Sequence, residues 1–181
     1  SEGIFLTDLI RMSPSLKGKL VALLIQAEKD GEWPEQMLEA LVAAVPKNNG
    51  AKSPNEFRPI VLLSLIYRAW SGLRMRQILK ILCASLPDGI FGFRTGLSCA
   101  EEMLEIMLDI EHSILFDHPL AGLTADLVKC FNNLPREFIF HMAKHIGIPS
   151  NVLWPWLGMI SRVKRRFVFH QGVSNGVGSL R

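Results

Sequence analysis

The stretch A-L-V-A-A-V-P at residues 40–46, K-N-N-G-A-K-S-P-N-E at 47–56 and F-R-P-I-V-L-L at 57–63 decides the fold. The first run is short and apolar and suits a buried strand. The second is polar and holds Gly50 and Pro54, so it is a loop. The third is apolar again, and Arg58 precedes a proline, which keeps the backbone extended. Together they read as a hairpin-like element with Lys47 and Lys52 on its loop and Arg58 on its returning limb.

Helical signals flank this element on both sides. Upstream, Ser13-Pro14 is an N-cap followed by the favoured first helical residue, and Leu16, Leu20, Leu23, Leu24 and Ala27 keep helical spacing until Gly31. Trp33-Pro34 interrupts, and a short helical stretch covers residues 35–38. Downstream, residues 64–86 contain no proline and only Gly72, with Leu65, Ala69, Leu73, Ile78, Leu82 and Leu86 on one face, and predict the longest helix. Its cations Arg68, Arg76 and Lys80 fall on one side, more in keeping with a solvated face than with a phosphate contact. Residues 90–97 are too glycine-rich for a regular element, and a helix follows over 98–112. Residues 120–128 (L-A-G-L-T-A-D-L-V) predict a buried strand with Asp126 near its end. Further helices run from Pro135 to about His145, ended by Gly147, and from Ser150 to Ile160. Residues 165–170 predict a strand, and 172–179 a turn. The expected class is α+β, an α/β-like mix rich in helix with a few scattered strands.

Composition narrows the function classes. The chain has 181 residues, 49% of them apolar and 20% charged, so disorder and collagen-like repeats are excluded. No apolar run approaches the roughly 18–20 residues of a membrane span, and no membrane partner is expected. A net charge of +3 permits an anionic partner without requiring one. Cys83, Cys99 and Cys130 are odd in number and lack C-x-x-C spacing, against a disulfide framework or a thiolate zinc site. With no signal peptide in evidence, an intracellular location, nucleus or cytoplasm, is expected. A first residue other than Met implies a piece of something longer.

Three clusters carry chemistry. Asp126, followed by K-C-F-N-N at 129–133, is a carboxylate at the end of an apolar run, where ligands of α/β enzymes sit. It reads either as a metal ligand or as a capping or salt-bridged side chain. Lys47, Lys52 and Arg58 read either as a triphosphate clamp, with Arg58 giving forked contacts and the lysines point charges, or as an exposed polar hairpin. Arg162, Lys164, Arg165 and Arg166, followed by Phe167 and Phe169, read either as a nucleic-acid backbone contact or as a solvated strand edge. Other signals are discounted. His141 and His145 stand at i, i+4, but Met142 occupies the place of the general base in H-E-x-x-H. Gly172, Gly176 and Gly178 lack a following G-K-[ST], and Ser98 and Cys99 have no His or Asp partner at a known spacing.

In chain order stand V-P-K at 45–47, F-R-P-I-V-L-L-S at 57–64, I-Y-R at 66–68, F-G-F-R-T-G-L-S at 91–98 and A-D-L-V-K-C-F-N-N at 125–133. This series resembles a reverse transcriptase of the non-LTR retrotransposon type over residues 33–181. The resemblance implies a right-hand polymerase: an upstream helix or fingers extension over 1–32, fingers over 33–115, and the start of an incomplete palm over 116–181. It implies Asp126 as the first catalytic aspartate and, with the backbone carbonyl of Leu127, a ligand of two Mg²⁺ ions. Lys47 and Arg58 match the residues that hold the incoming dNTP, Lys52 less closely, and Phe131 matches the aromatic gate against a ribose 2′-hydroxyl. Phe93, Arg94 and Gly96 match the G-F-R motif expected to contact template or primer, though Phe93 could instead fill the junction of fingers and palm. RNA template, DNA primer and dNTPs are the implied partners.

Asn132 departs from the family pattern, which has a second Asp there. The family's Q-G-x-P-L-S motif and paired aspartates do not occur by Arg181. The expectation is therefore a fragment that is inactive by itself. The alternatives are a decayed or domesticated relative that binds nucleic acid without synthesis, and an unrelated helical interaction module.

Overall fold

The computed structural model describes residues 6–50, 52–94, 96–127, 133–169 and 172–173. Two compact units emerge, one of Ser1–Met75 with Ile148–Arg181 and the other of Arg76–Gly147.

The first unit opens with helices α1 (Leu6–Arg11) and α2 (Pro14–Asp30). The Ser13 side chain accepts from the Leu16 N–H at 3.3 Å, satisfying one of the orphan donors of the first turn of α2. Gly31 closes that helix at φ 73°, a left-handed conformation that costs glycine nothing. A 3₁₀ turn over Glu35–Met37 leads into β1 (Glu39–Pro46), which pairs antiparallel with β2 (Phe57–Leu62). On its other side β1 pairs parallel with β3 (Lys164–Phe169), which in turn pairs with the two-residue β4 (Gly172–Val173). The sheet order is β2-β1-β3-β4, so β2 lies at an edge, the position in a sheet that tolerates a proline such as Pro59.

Alternation along β1 buries Ala40 and Val42 and turns Leu41, Ala43 and Val45 to the opposite face. The buried face belongs to a core that also takes in Ala27, Trp33, Met37, Leu38, Tyr67, Trp70, Val152, Leu153, Met159 and Val163. Each of the larger side chains contributes roughly 1.5–3 kcal/mol by leaving water. Tyr67 and Trp70 come from helix α3 (Leu65–Ser85), and Val152, Leu153 and Met159 from helix α6 (Ser150–Arg162). Trp33 meets Tyr67 and Trp70 edge to face, with ring centroids 5.2 and 5.1 Å away. Its indole N–H donates to the Pro155 carbonyl at 2.8 Å. Beside this cluster Glu28 accepts from the Trp70 indole at 2.6 Å, and from the Arg74 Nε and Nη2 at 2.6 and 2.7 Å. Glycine is required at 158: a Cβ there would stand 2.2 Å from the Gly31 carbonyl oxygen, so any side chain forces α6 off the end of α2.

The second unit holds the end of α3, a turn-rich segment to Leu97, and helices α4 (Cys99–Phe116) and α5 (Arg136–His145). Ser98 caps α4 by accepting from the Ala100 N–H at 3.2 Å, and Glu101 reaches back to the Ser98 N–H at 2.7 Å. None of the described residues of this unit is buried, and the apolar side chains of α4 from Met103 to Phe116 stay open to solvent.

The strand expected over residues 120–128 is corrected here. Residues 118–127 form no ladder, and Leu120, Leu123 and Leu127 are 54%, 92% and 72% exposed. An apolar run becomes a strand only where a neighbour accepts its backbone groups, and among the described residues none does. The other expected elements occur within a few residues of their expected ends. β4 occupies the start of the expected turn, and residues 174–179 lie outside the described ones.

Candidate nucleotide and nucleic-acid interface

The hairpin of the first unit organises two of the predicted site residues. Arg58 pairs with Val45 across the β1–β2 ladder, and the Lys47 N–H extends the ladder by donating to the Glu56 carbonyl at 2.8 Å. Strand alternation sets Val45 and Arg58 on the face opposite to the buried one, at the open end of the ladder, and Lys47 follows one residue past that end. One ammonium proton of Lys47 goes to the Asn55 carbonyl at 2.8 Å, leaving two donors. Among the described residues no carboxylate forms an ion pair with Arg58.

Glu56, the acid nearest this pair in sequence, is committed to the loop. Its Oε2 accepts the backbone N–H of Lys52 at 2.6 Å and of Ser53 at 3.1 Å. Those two amides, with a smaller contribution from the Lys47 charge, hold its carboxyl below the usual carboxylate range. The loop is thereby tied down at the point where Lys47 enters it. Lys52 lies exposed on the same loop.

In the second unit Phe93, Arg94 and Gly96 share one turn-rich segment. Phe93 is 88% exposed at φ 62°, and Gly96 has φ 85°. A left-handed phenylalanine costs about 1–2 kcal/mol, and here the strain accompanies a ring held out in solvent, not one filling a junction within the described structure. Arg94 does something that its motif did not reveal. Its Nη1 donates to the carbonyls of Pro87, Asp88 and Ile90 at 3.2, 3.3 and 3.4 Å, clasping the preceding turn.

Asp126 and Leu127 are consecutive exposed residues of the irregular segment after α4. The side chain of Asp126 is not buried, so the argument that burial demands a partner for it does not apply. A carboxylate and a neighbouring carbonyl are suitable oxygen donors for Mg²⁺. Among the described residues, however, no group of three His, Cys, Asp or Glu side chains is placed to hold a metal ion. One carboxylate does not fit a site for two ions about 3.5–4 Å apart. Phe131 and Asn132 lie outside the described residues, as do Lys129 and Cys130.

Three cations of the basic cluster pair with acids of the same unit. Arg162 pairs with Glu32 at 3.1 Å, Lys164 with Glu35 at 3.0 Å and Arg166 with Glu39 at 2.7 Å. The Lys164 hydrogen bond and charge pull the Glu35 carboxyl below its ordinary range. The parallel register of β1 and β3 brings Arg166 beside Glu39, which neither segment discloses alone. β4 flanks β3 only at Val168 and Phe169, beyond these cations. This arrangement favours the structural reading of the cluster over the nucleic-acid one.

Lys47 and Arg58 thus belong to one unit, and Phe93, Arg94, Gly96, Asp126 and Leu127 to the other. No helix among the described residues is long and apolar enough to cross a membrane. No curated protein matches the chain. The family model described as reverse transcriptase (RNA-dependent DNA polymerase) matches residues 45–178, well over half of the chain and spanning all five ordered motifs. On that match the chain belongs to the reverse transcriptase family.

Proposed function

We propose that this chain contributes the nucleotide-holding hairpin and the first catalytic carboxylate of an RNA-directed DNA polymerase from a mobile element of the non-LTR retrotransposon type. The observation that carries the reading is that Arg58 and Lys47 both lie at the loop end of the β1–β2 ladder, with the loop acid Glu56 engaged by backbone amides. A forked guanidinium and an ammonium at one end of a hairpin suit the triphosphate of an incoming dNTP. Asp126 and the Leu127 carbonyl would be this chain's share of a Mg²⁺ site, and Phe131 the gate against a 2′-hydroxyl. Phe93, Arg94 and Gly96 would lie against template or primer, with the exposed Phe93 ring available for stacking on a base. With one such carboxylate, the 181-residue chain does not extend a primer unaided.

Each charge-assisted contact contributes about 1.5–3 kcal/mol. Lys47→Gln/Arg58→Gln is therefore expected to weaken binding of a fluorescent dNTP by about a hundredfold or more. Equal dNTP affinity in the wild type and the double variant would sink the assignment. A second reading, binding without synthesis, draws on Asn132, which stands where the family has an aspartate. Template-dependent primer extension by the chain in its whole polymerase, lost in Asp126→Asn, would exclude it.

A further inference from the structure

The register of the hairpin fixes which backbone groups of β2 face outward. The Lys47 N–H donates to the Glu56 carbonyl where the β1–β2 ladder continues into the loop, so Lys47 and Glu56 form a hydrogen-bonded pair. By alternation Val45 with Arg58, Ala43 with Ile60 and Leu41 with Leu62 are hydrogen-bonded pairs too, and Arg58, Ile60 and Leu62 spend their backbone groups on β1. Phe57, Pro59 and Val61 stand opposite Pro46, Ala44 and Val42 in the other kind of pair, and direct their backbone groups to the free edge of the sheet. Both prolines of the two strands, Pro46 and Pro59, thus sit where this ladder asks for no N–H.

That edge is poor in donors. Pro59 has no N–H, and the Phe57 N–H turns back to the Pro54 carbonyl, so of the outward positions 57, 59 and 61 only Val61 keeps an N–H for the edge. The strand itself, F-R-P-I-V-L, ends in β-branched and apolar residues, and Ile60, Val61 and Leu62 are all exposed. Such a segment on an open edge is a template for the same segment of another chain, which would exchange N–H and C=O groups with it and cover its apolar side chains. We propose that the free edge of β2 is a self-pairing surface for a second copy of this chain, and that Pro59 keeps it shut. The ring removes the central outward donor and stands in the path of an incoming carbonyl.

Pro59→Val supplies the missing donor with a residue that suits a strand, and leaves every β1–β2 ladder bond in place. In sedimentation equilibrium its weight-average mass is expected to rise about twofold or more above that of the wild type as concentration increases. Amide exchange over residues 57–62 is expected to slow about tenfold or more in the same samples. Pro59→Val/Val61→Pro moves the proline to the next outward position and is expected to return both readings to those of the wild type. Circular dichroism checks that each variant folds, and Pro59→Ala repeats the measurement with a smaller side chain. A folded Pro59→Val or Pro59→Ala chain with wild-type mass at every concentration would overturn the proposal. Association that Val61→Pro fails to reverse would also overturn it, because the new contact would then lie elsewhere, as on the exposed apolar side chains of α4. Failure of both single variants to fold would do the same, since the ring would then serve the hairpin itself.

Discussion

Trp33→Ala is expected to destabilise the protein by about 4 kcal/mol, within the roughly 3–5 kcal/mol span for truncating a buried aromatic. Trp33 is 4% exposed and sits where the segment after α2 meets α3 and α6. Truncation removes its edge contacts with Tyr67 and Trp70, worth about 0.5–1.5 kcal/mol each beyond area burial. It also deprives the Pro155 carbonyl of an indole donor at 2.8 Å. Because a domain commonly has only about 5–15 kcal/mol of stability, most of the margin would go. Urea unfolding followed by circular dichroism measures the loss, and Trp33→Phe, which keeps the apolar bulk, is expected to recover more than half of it. A loss below about 1.5 kcal/mol for the alanine variant would mean that this cluster does not hold the unit together.

Tyr67 gives the second large effect, as a dependence on pH. Burial pushes its phenol up to about 12. It is the chain's sole tyrosine, so near-ultraviolet tyrosinate absorbance reads this group alone. The folded state binds its proton more tightly than the unfolded state, whose phenol ionises near 10. The stabilisation is therefore complete below about pH 10 and is lost as pH rises toward 12, in total roughly 2–3 kcal/mol. The expected titration shows almost no tyrosinate at pH 10 in the folded chain, and ionisation that coincides with unfolding above it. Smooth ionisation centred near 10 without loss of structure would show that Tyr67 is open to water.

Much of this architecture is legible in local chemistry. Ser13-Pro14 and Gly31 mark the ends of α2, and the polar stretch between two apolar runs marks the hairpin, because caps and turns depend on residues close in sequence. The hairpin also places Arg58, since alternation fixes its face once the pairing is known. What the sequence hid depends on distant partners. Residues 120–128 have the composition of a strand, but composition cannot supply a ladder. Arg162, Lys164 and Arg166 look like a nucleic-acid stripe until the fold sets Glu32, Glu35 and Glu39 beside them. Arg94 carries a family motif and also clasps its own turn, a geometric role with no sequence signature. Arg76 and Lys80 read as a solvated helix face, and only the return of the chain through Arg94 and Leu97 makes that face one wall of a cavity.

The most direct measurement is equilibrium binding of a labelled RNA-template/DNA-primer duplex to the 181-residue chain over a range of salt concentrations. The account predicts saturable binding whose logarithm falls linearly with log salt, by about 0.7–0.9 per phosphate contact, and which weakens in Lys47→Gln/Arg58→Gln when dNTP is present. Absent or salt-independent binding by a folded chain would contradict the reading of this protein as the nucleic-acid- and nucleotide-holding part of a polymerase.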